Sequence, residues 1–211
     1  MWGISSQERG RILNKEEFSP LQIDVLKELA NIGGGNAATA ISQMVGKFIN
    51  MSVPTIEILG YDEIYEKIMG EEQQVIAVSM RMFGEAHGNF LFVCTEENAR
   101  KLVMMMLPSD FPLNEEMEYS AVSELVNIVV TSYLNALSRL LDISLFSSVP
   151  AITADMFGAI LSYAYIENEQ YDDQVMIIKN EFMYDGAKVD SSLYFIPRPG
   201  VLENLFQKIG V

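Results

Sequence analysis

The sequence predicts an α+β domain in which long helices pack on one mostly antiparallel β-sheet, built as two pseudo-symmetric halves. Three observations carry this prediction. First, segments recur at a constant offset of 96 positions without a gap. Asp24-Val25-Leu26-Lys27-Glu28-Leu29-Ala30-Asn31 lies over Ser120-Ala121-Val122-Ser123-Glu124-Leu125-Val126-Asn127, Ile32 over Ile128, and Ser52-Val53-Pro54 over Ser148-Val149-Pro150. Self-similarity at a fixed spacing marks a duplicated unit. Second, each half reads as a long helix, then period-two stretches, then a short helix. Third, 211 residues with 49% hydrophobic and 20% charged side chains suffice for one substantial core. Neither half alone covers both sides of its strands, so the expectation is one domain over 1–211 containing repeats of about 20–107 and 114–209.

Each element has a local reason. Ser19-Pro20 supplies an N-cap and a proline at the first helical position, and Leu21, Val25, Leu26, Leu29 and Ile32 then recur on one helix face. In the second half Asn114 caps a helix whose first turn holds Glu115 and Glu116, where acidic groups suit the positive end of the dipole. These helices are expected to run to about Phe48 and to Leu141. Pro54 and Pro150 end the helix-to-strand connections, and Thr55–Leu59 and Ala151–Ala154 follow as extended segments. Gln74–Phe83 and Asn89–Thr95 read as a hairpin around Gly84 and Gly88. In the second half Ala159–Ile166, Val175–Met183 and Leu193–Ile196 read as strands, with a turn at 184–187. Glu96–Leu107 and Gly200–Ile209 are the short closing helices.

Composition removes several classes of chemistry. Fourteen Lys+Arg against 29 Asp+Glu give a net charge of −15, which repels nucleic-acid backbones and the anionic leaflet of a membrane. Cys94 is the single cysteine, so no internal disulfide and no cysteine-based zinc site is expected. The first residues lack the pattern of a signal peptide, and no apolar run approaches the ~20 residues of a membrane span. A cytoplasmic protein is the expectation. The single histidine, His87, falls in the predicted hairpin turn, which leaves little for a Ser-His-Asp or Cys-His triad.

What remains is a polar stripe. Positions 24, 28 and 31 sit at i, i+4 and i+7, within about 60° of one another around a helix, so Asp24, Glu28 and Asn31 share a narrow strip of surface. Ser120, Glu124 and Asn127 make the equivalent strip. A solvated face needs only polarity; here the identities Glu and Asn recur, whereas Lys27 and Ser123 beside them differ. The run Gly33-Gly34-Gly35 follows directly, and each mid-helix glycine costs about 1 kcal/mol relative to alanine. Close packing against a neighbouring element is one explanation. Bare backbone beside Asn31, open to a partner, is the other. Met104-Met105-Met106, at helical spacing, reads as core.

The pattern Asp/Ser-x3-Glu-x2-Asn-x22-Pro, present from Asp24 to Pro54 and from Ser120 to Pro150, resembles the signature of the CheC/CheX/FliY chemotaxis phosphatase family. The segment from Glu28 to Ala40 and the closing Ile196-Pro197-Arg198-Pro199-Gly200 add to the likeness, which covers nearly the whole chain. Two complete motifs resemble the CheC branch, and the end at Val211 leaves no room for the extra flagellar-switch domain of the FliY branch. The resemblance implies hydrolysis of the aspartyl phosphate on a CheY-type response regulator. That regulator brings its own Mg2+ and lysine, so this chain needs no metal or cofactor. It further implies that Asn31 and Asn127 orient the attacking water and that Glu28 and Glu124 dock onto the regulator's lysine. Asp24, Ser120, Pro54 and Pro150 are then supporting residues. A monomer is expected, because the internal repeat replaces a dimer's symmetry. The competing reading, also implied by the resemblance, is an adaptor for CheD, a receptor-modifying deamidase. A purely structural flagellar-switch part is a third.

Overall fold

The computed structural model describes residues 18–52, 55–107, 114–167, 174–184, 186–198 and 200–211. The first half contains α1 (Pro20–Val45), β1 (Asn50–Met51), β2 (Thr55–Gly60), α2 (Tyr61–Lys67), β3 (Gln74–Gly84), β4 (Gly88–Cys94) and α3 (Glu96–Met106). The second repeats that order with α4 (Glu115–Leu141), β5 (Leu145–Ser147), β6 (Ala151–Met156), α5 (Phe157–Glu167), β7 (Gln174–Tyr184), β8 (Ala187–Pro197) and α6 (Val201–Ile209).

Among the described residues the eight strands form one sheet in which every pairing is antiparallel. Its centre is the β4–β8 pair, from Gly88↔Pro197 to Val93↔Ser192. β3 and β7 flank that pair, and the halves then exchange edges. β1 and β2 of the first half pair with β7, whereas β5 and β6 of the second pair with β3. Each half therefore completes the other's sheet, and an isolated half leaves a long unpaired edge. Residues 1–113 expressed alone are expected to show no cooperative thermal transition by circular dichroism. Co-expression with residues 114–211 is expected to restore one.

Strand alternation sorts side chains into two layers of core. Ile76, Val78, Met80 and Met82 of β3 join Phe90, Phe92 and Phe195 beneath α1, α4, α3 and α6. Val75 and Ala77 of β3, Leu91 and Val93 of β4, and Tyr194 and Ile196 of β8 face the opposite way, against Ile64 of α2 and Phe157, Ile160, Leu161 and Ala164 of α5. The sheet is thus covered on both faces, by the long helices on one and by two shorter helices on the other. Cys94 is buried in the first layer, where loss of solvation pushes its thiol up to about 12, so it holds no nucleophilic thiolate at neutral pH.

The expected strand over Ala159–Ile166 is a helix. Phe157, Ile160, Leu161 and Ala164 are buried at i, i+3, i+4 and i+7, a helical period hidden among residues of high β-propensity. The offset of 96 carries Tyr61, where α2 begins, onto Phe157, where α5 begins; α2 is a second helix absent from the sequence reading. α1 stops at Val45 rather than near Phe48, because Gly46 takes the left-handed conformation (φ 65°) that terminates a helix. The methionine run is split: Met105 is buried, Met106 half-buried and Met104 exposed. The reading of the whole run as core therefore fails at Met104, whose place on α3 turns it outward.

Candidate functional site

α1 and α4 lie side by side over the sheet, and each carries its stripe on the side away from it. α1 starts at a capping box: Ser19 Oγ accepts from the Gln22 amide at 3.2 Å while the Ser19 amide donates to Gln22 Oε1 at 2.9 Å. α4 starts where Asn114 Oδ1 accepts from the Met117 amide at 2.9 Å. With the starts pinned, burial of Leu26, Leu29, Ala30, Gly33 and Ala37 turns Asp24, Glu28 and Asn31 outward. On α4, burial of Val122, Leu125, Val126, Val129 and Tyr133 does the same for Ser120 and Glu124. Asn127 is half-buried and so more confined than Asn31. Pro150 is half-buried at the entry to β6, and Pro54 lies outside the described residues.

The stripe residues are free of intramolecular work. Asp24 makes a loose exposed pair with Lys27 at 3.7 Å, and pairs of that kind contribute little. Among the described residues, Glu28, Asn31, Glu124 and Asn127 engage neither hydrogen bonds nor ion pairs through their side chains. Two carboxylates and two amides thus stand at matching places on adjacent helices, with donors and acceptors unspent. Among the described residues no three His, Cys, Asp or Glu side chains gather as a metal site, and no helix is long and apolar enough to cross a membrane. His87 is exposed after β3, edge-on to Phe83 at 6.4 Å, on a different part of the molecule from these stripes.

The contact between the long helices explains part of the glycine run. A Cβ on Gly33 would lie 2.6–3.0 Å from three atoms of the Tyr133 ring. That ring is buried, and its hydroxyl donates to Asn180 Oδ1 at 3.0 Å, so it has no room to yield. Gly34 faces only the Tyr133 hydroxyl, at an ordinary 3.6 Å, and Gly35 faces nothing within 4 Å. Tyr133 was not singled out by sequence reasoning. The offset pairs it with Ala37, and Gly33 with Val129, so each helix has traded bulk with the other.

A second surface was also missed. Phe146 of β5, Val149 of the β5–β6 connection, and Tyr163 and Ile166 of α5 are 64–83% exposed, and Val149 and Tyr163 line one groove. At the offset of 96, Phe146, Tyr163 and Ile166 correspond to Asn50, Lys67 and Gly70, whereas Val149 corresponds to Val53. That contrast between copies was readable from the sequence once α5 is a helix.

An α+β fold with long helices on one face of a single antiparallel sheet is the fold of a class of solved chemotaxis and flagellar-switch proteins. The FliY structure from Thermotoga maritima superposes with a TM-score of 0.70 at 19% identity, covering 92% of this chain and 98% of that one. The FliM middle domain from H. pylori gives 0.64 at 10% identity, covering 90% and 99%. Within that class the chain belongs to the CheC-like family. A profile of the CheC-like family matches residues 21–58, and one of chemotaxis phosphatase CheX matches residues 76–164. The CheY-P phosphatase CheC of Bacillus subtilis is 30% identical over 197 residues, which cover 90% of this chain and 94% of that protein. The flagellar motor switch phosphatase FliY of the same organism is 23% identical over 148 residues, 66% of this chain but 38% of that longer protein.

Proposed function

We propose that this chain accelerates hydrolysis of the aspartyl phosphate on a CheY-type response regulator. The observation that carries this reading is the pair of Glu/Asn stripes whose side chains make no hydrogen bond or ion pair among the described residues. The relative named a CheY-P phosphatase supports it. An aspartyl phosphate is an activated acyl phosphate, and the regulator supplies Mg2+ and a lysine to its phosphoryl oxygens. The missing element is a water held in line with phosphorus. The carboxamide of Asn31 or Asn127, inserted beside the phosphoryl group, accepts a hydrogen bond from that water and orients its lone pair. Water attacks phosphorus, the P–O bond to the aspartate breaks, and the products are inorganic phosphate and a free carboxylate. Glu28 or Glu124, about one turn earlier, pairs with the regulator's lysine and sets the register.

The test is phosphate release from phosphorylated CheY with and without this protein. Glu28→Ala in an Asn127→Ala background and Glu124→Ala in an Asn31→Ala background are each expected to raise KM by about tenfold while leaving kcat within about twofold of the background, because docking acts equally on ground and transition states. A large kcat loss with unchanged KM would instead place the carboxylate at the reacting atoms.

The exposed apolar side chains of β5, the β5–β6 connection and α5 favour a second, compatible reading: an adaptor that binds CheD. Phe146, Tyr163 and Ile166 are exposed where the first half carries Asn50, Lys67 and Gly70, an asymmetry that the matching stripes do not need and that a protein contact would explain. Phe146→Asn with Tyr163→Lys, which copies Asn50 and Lys67 of the first half, is expected to weaken CheD binding at least about tenfold by calorimetry. Phosphate release is expected to stay unchanged. Undiminished CheD binding would sink this reading.

A further inference from the structure

We propose that Gly35 is a specificity-determining residue of the first stripe, its missing side chain admitting the docked regulator against the helix backbone one turn beyond Asn31. The partner's identity rests on the phosphatase reading above; the demand for a close approach rests on the glycine itself. Among the described residues, neither packing nor backbone conformation requires glycine there. A Cβ at Gly35 meets nothing within 4 Å, and Gly35 is not among the residues with positive φ. The same helix position in the second half is held by Thr131, exposed like Gly35, so a side chain fits this fold at this place. A mid-helix glycine is nonetheless less stable than alanine, through both backbone entropy and exposure of the peptide to water. Gly33 has its reason in Tyr133; Gly35 has none among the described residues.

Its position supplies one outside. At eleven residues beyond Asp24, Gly35 lies about 20° from it around the helix, between the directions of Glu28 and Asn31. It therefore continues the stripe rather than leaving it. The Thr39 hydroxyl donates to the Gly35 carbonyl at 2.9 Å, so the carbonyl exposed by the missing side chain has a further partner within the helix. The result is a flat, ordered, side-chain-free step next to the carboxamide that orients water. A partner surface rests there at van der Waals contact with Cα, a position that the Thr131 side chain occupies on the second stripe. The two stripes thus differ in how closely they admit a regulator.

The experiment uses the full chain in a Glu124→Ala/Asn127→Ala background, so that only the first stripe keeps both its docking carboxylate and its asparagine. Gly35→Ala and Gly35→Thr are compared with that parent for Tm, for phosphate release, and for Kd toward CheY charged with Mg2+ and beryllofluoride. Gly35→Ala is expected to raise Tm by about 2–4 °C. It is expected to raise Kd about tenfold, and Gly35→Thr more, with kcat at saturation within about twofold. Stability and binding then move in opposite directions, which a structural role does not produce. A fall in Tm, or a Kd unchanged for both variants, overturns the proposal. If the parent binds the charged regulator but releases no phosphate, the catalytic reading fails while Gly35 is still judged on Kd. Absence of any binding overturns both.

Discussion

The Asn31→Ala/Asn127→Ala variant is expected to release phosphate from phosphorylated CheY no faster than the regulator does unaided. Orienting one water in line with phosphorus is the whole of the proposed catalysis, and such positioning is worth about 100-fold or more in rate. Without either carboxamide the docked regulator retains only its own Mg2+ and lysine. The loss is expected to be catalytic rather than structural. Asn31 is exposed, Asn127 half-buried, and neither is hydrogen-bonded within the described residues, so Tm should stay within about 2 °C of the parent. Each single variant keeps the other stripe. At saturating regulator Asn127→Ala is expected to lose at least as much turnover as Asn31→Ala, for two reasons. Asn127 is the more confined side chain, and Val129-Val130-Thr131 follow it where three glycines follow Asn31. Steady-state assays of the two single variants and the double variant decide the matter. Wild-type turnover in the double variant would remove water positioning from these residues and leave the adaptor reading in its place.

Gly33→Val is expected to destabilise the fold by about 2–3 kcal/mol, a fall in Tm of about 4–12 °C. Valine is what the second copy carries at this position, and its helix propensity exceeds that of glycine, so local preference alone would raise stability. Packing reverses the sign. The first carbon added already meets the Tyr133 ring at 2.6 Å, and valine adds two methyl groups beyond it. The ring is held in place by its burial and by its bond to Asn180, itself buried and donating through Nδ2 to the Ile178 carbonyl at 3.1 Å. Tyr133→Ala alone is expected to cost about 3–5 kcal/mol through the cavity it leaves. The double variant is expected to cost less than the sum of the two, because valine then occupies part of that cavity, and a coupling above about 1 kcal/mol would identify the pair. Denaturant titrations of the four proteins measure it. Additive effects would show that Gly33 and Tyr133 do not constrain each other.

The caps at Ser19 and Asn114, the acidic first turn of α4, and the paired Glu and Asn at a spacing that aligns them on one helix face are local facts. Local rules recover them, and the fold class and outward-facing stripes follow. α5 resisted that reading. Its Tyr163, Tyr165 and Ile166 carry strand propensity, and only the burial of Phe157, Ile160, Leu161 and Ala164 against the sheet selects the helix. The exchange of edge strands, by which β2 completes β7 and β6 completes β3, is also absent from local preference. Either hairpin edge can satisfy an extended segment's hydrogen bonds, and the choice is made by where the helices deliver the chain. The glycine run shows the division most sharply. By sequence the three residues are equivalent, each an apparent weakness in a helix. The fold gives Gly33 the Tyr133 ring to avoid, Gly34 an ordinary contact with the same residue's hydroxyl and Gly35 no neighbour among the described residues, because successive residues are turned by 100° from one another.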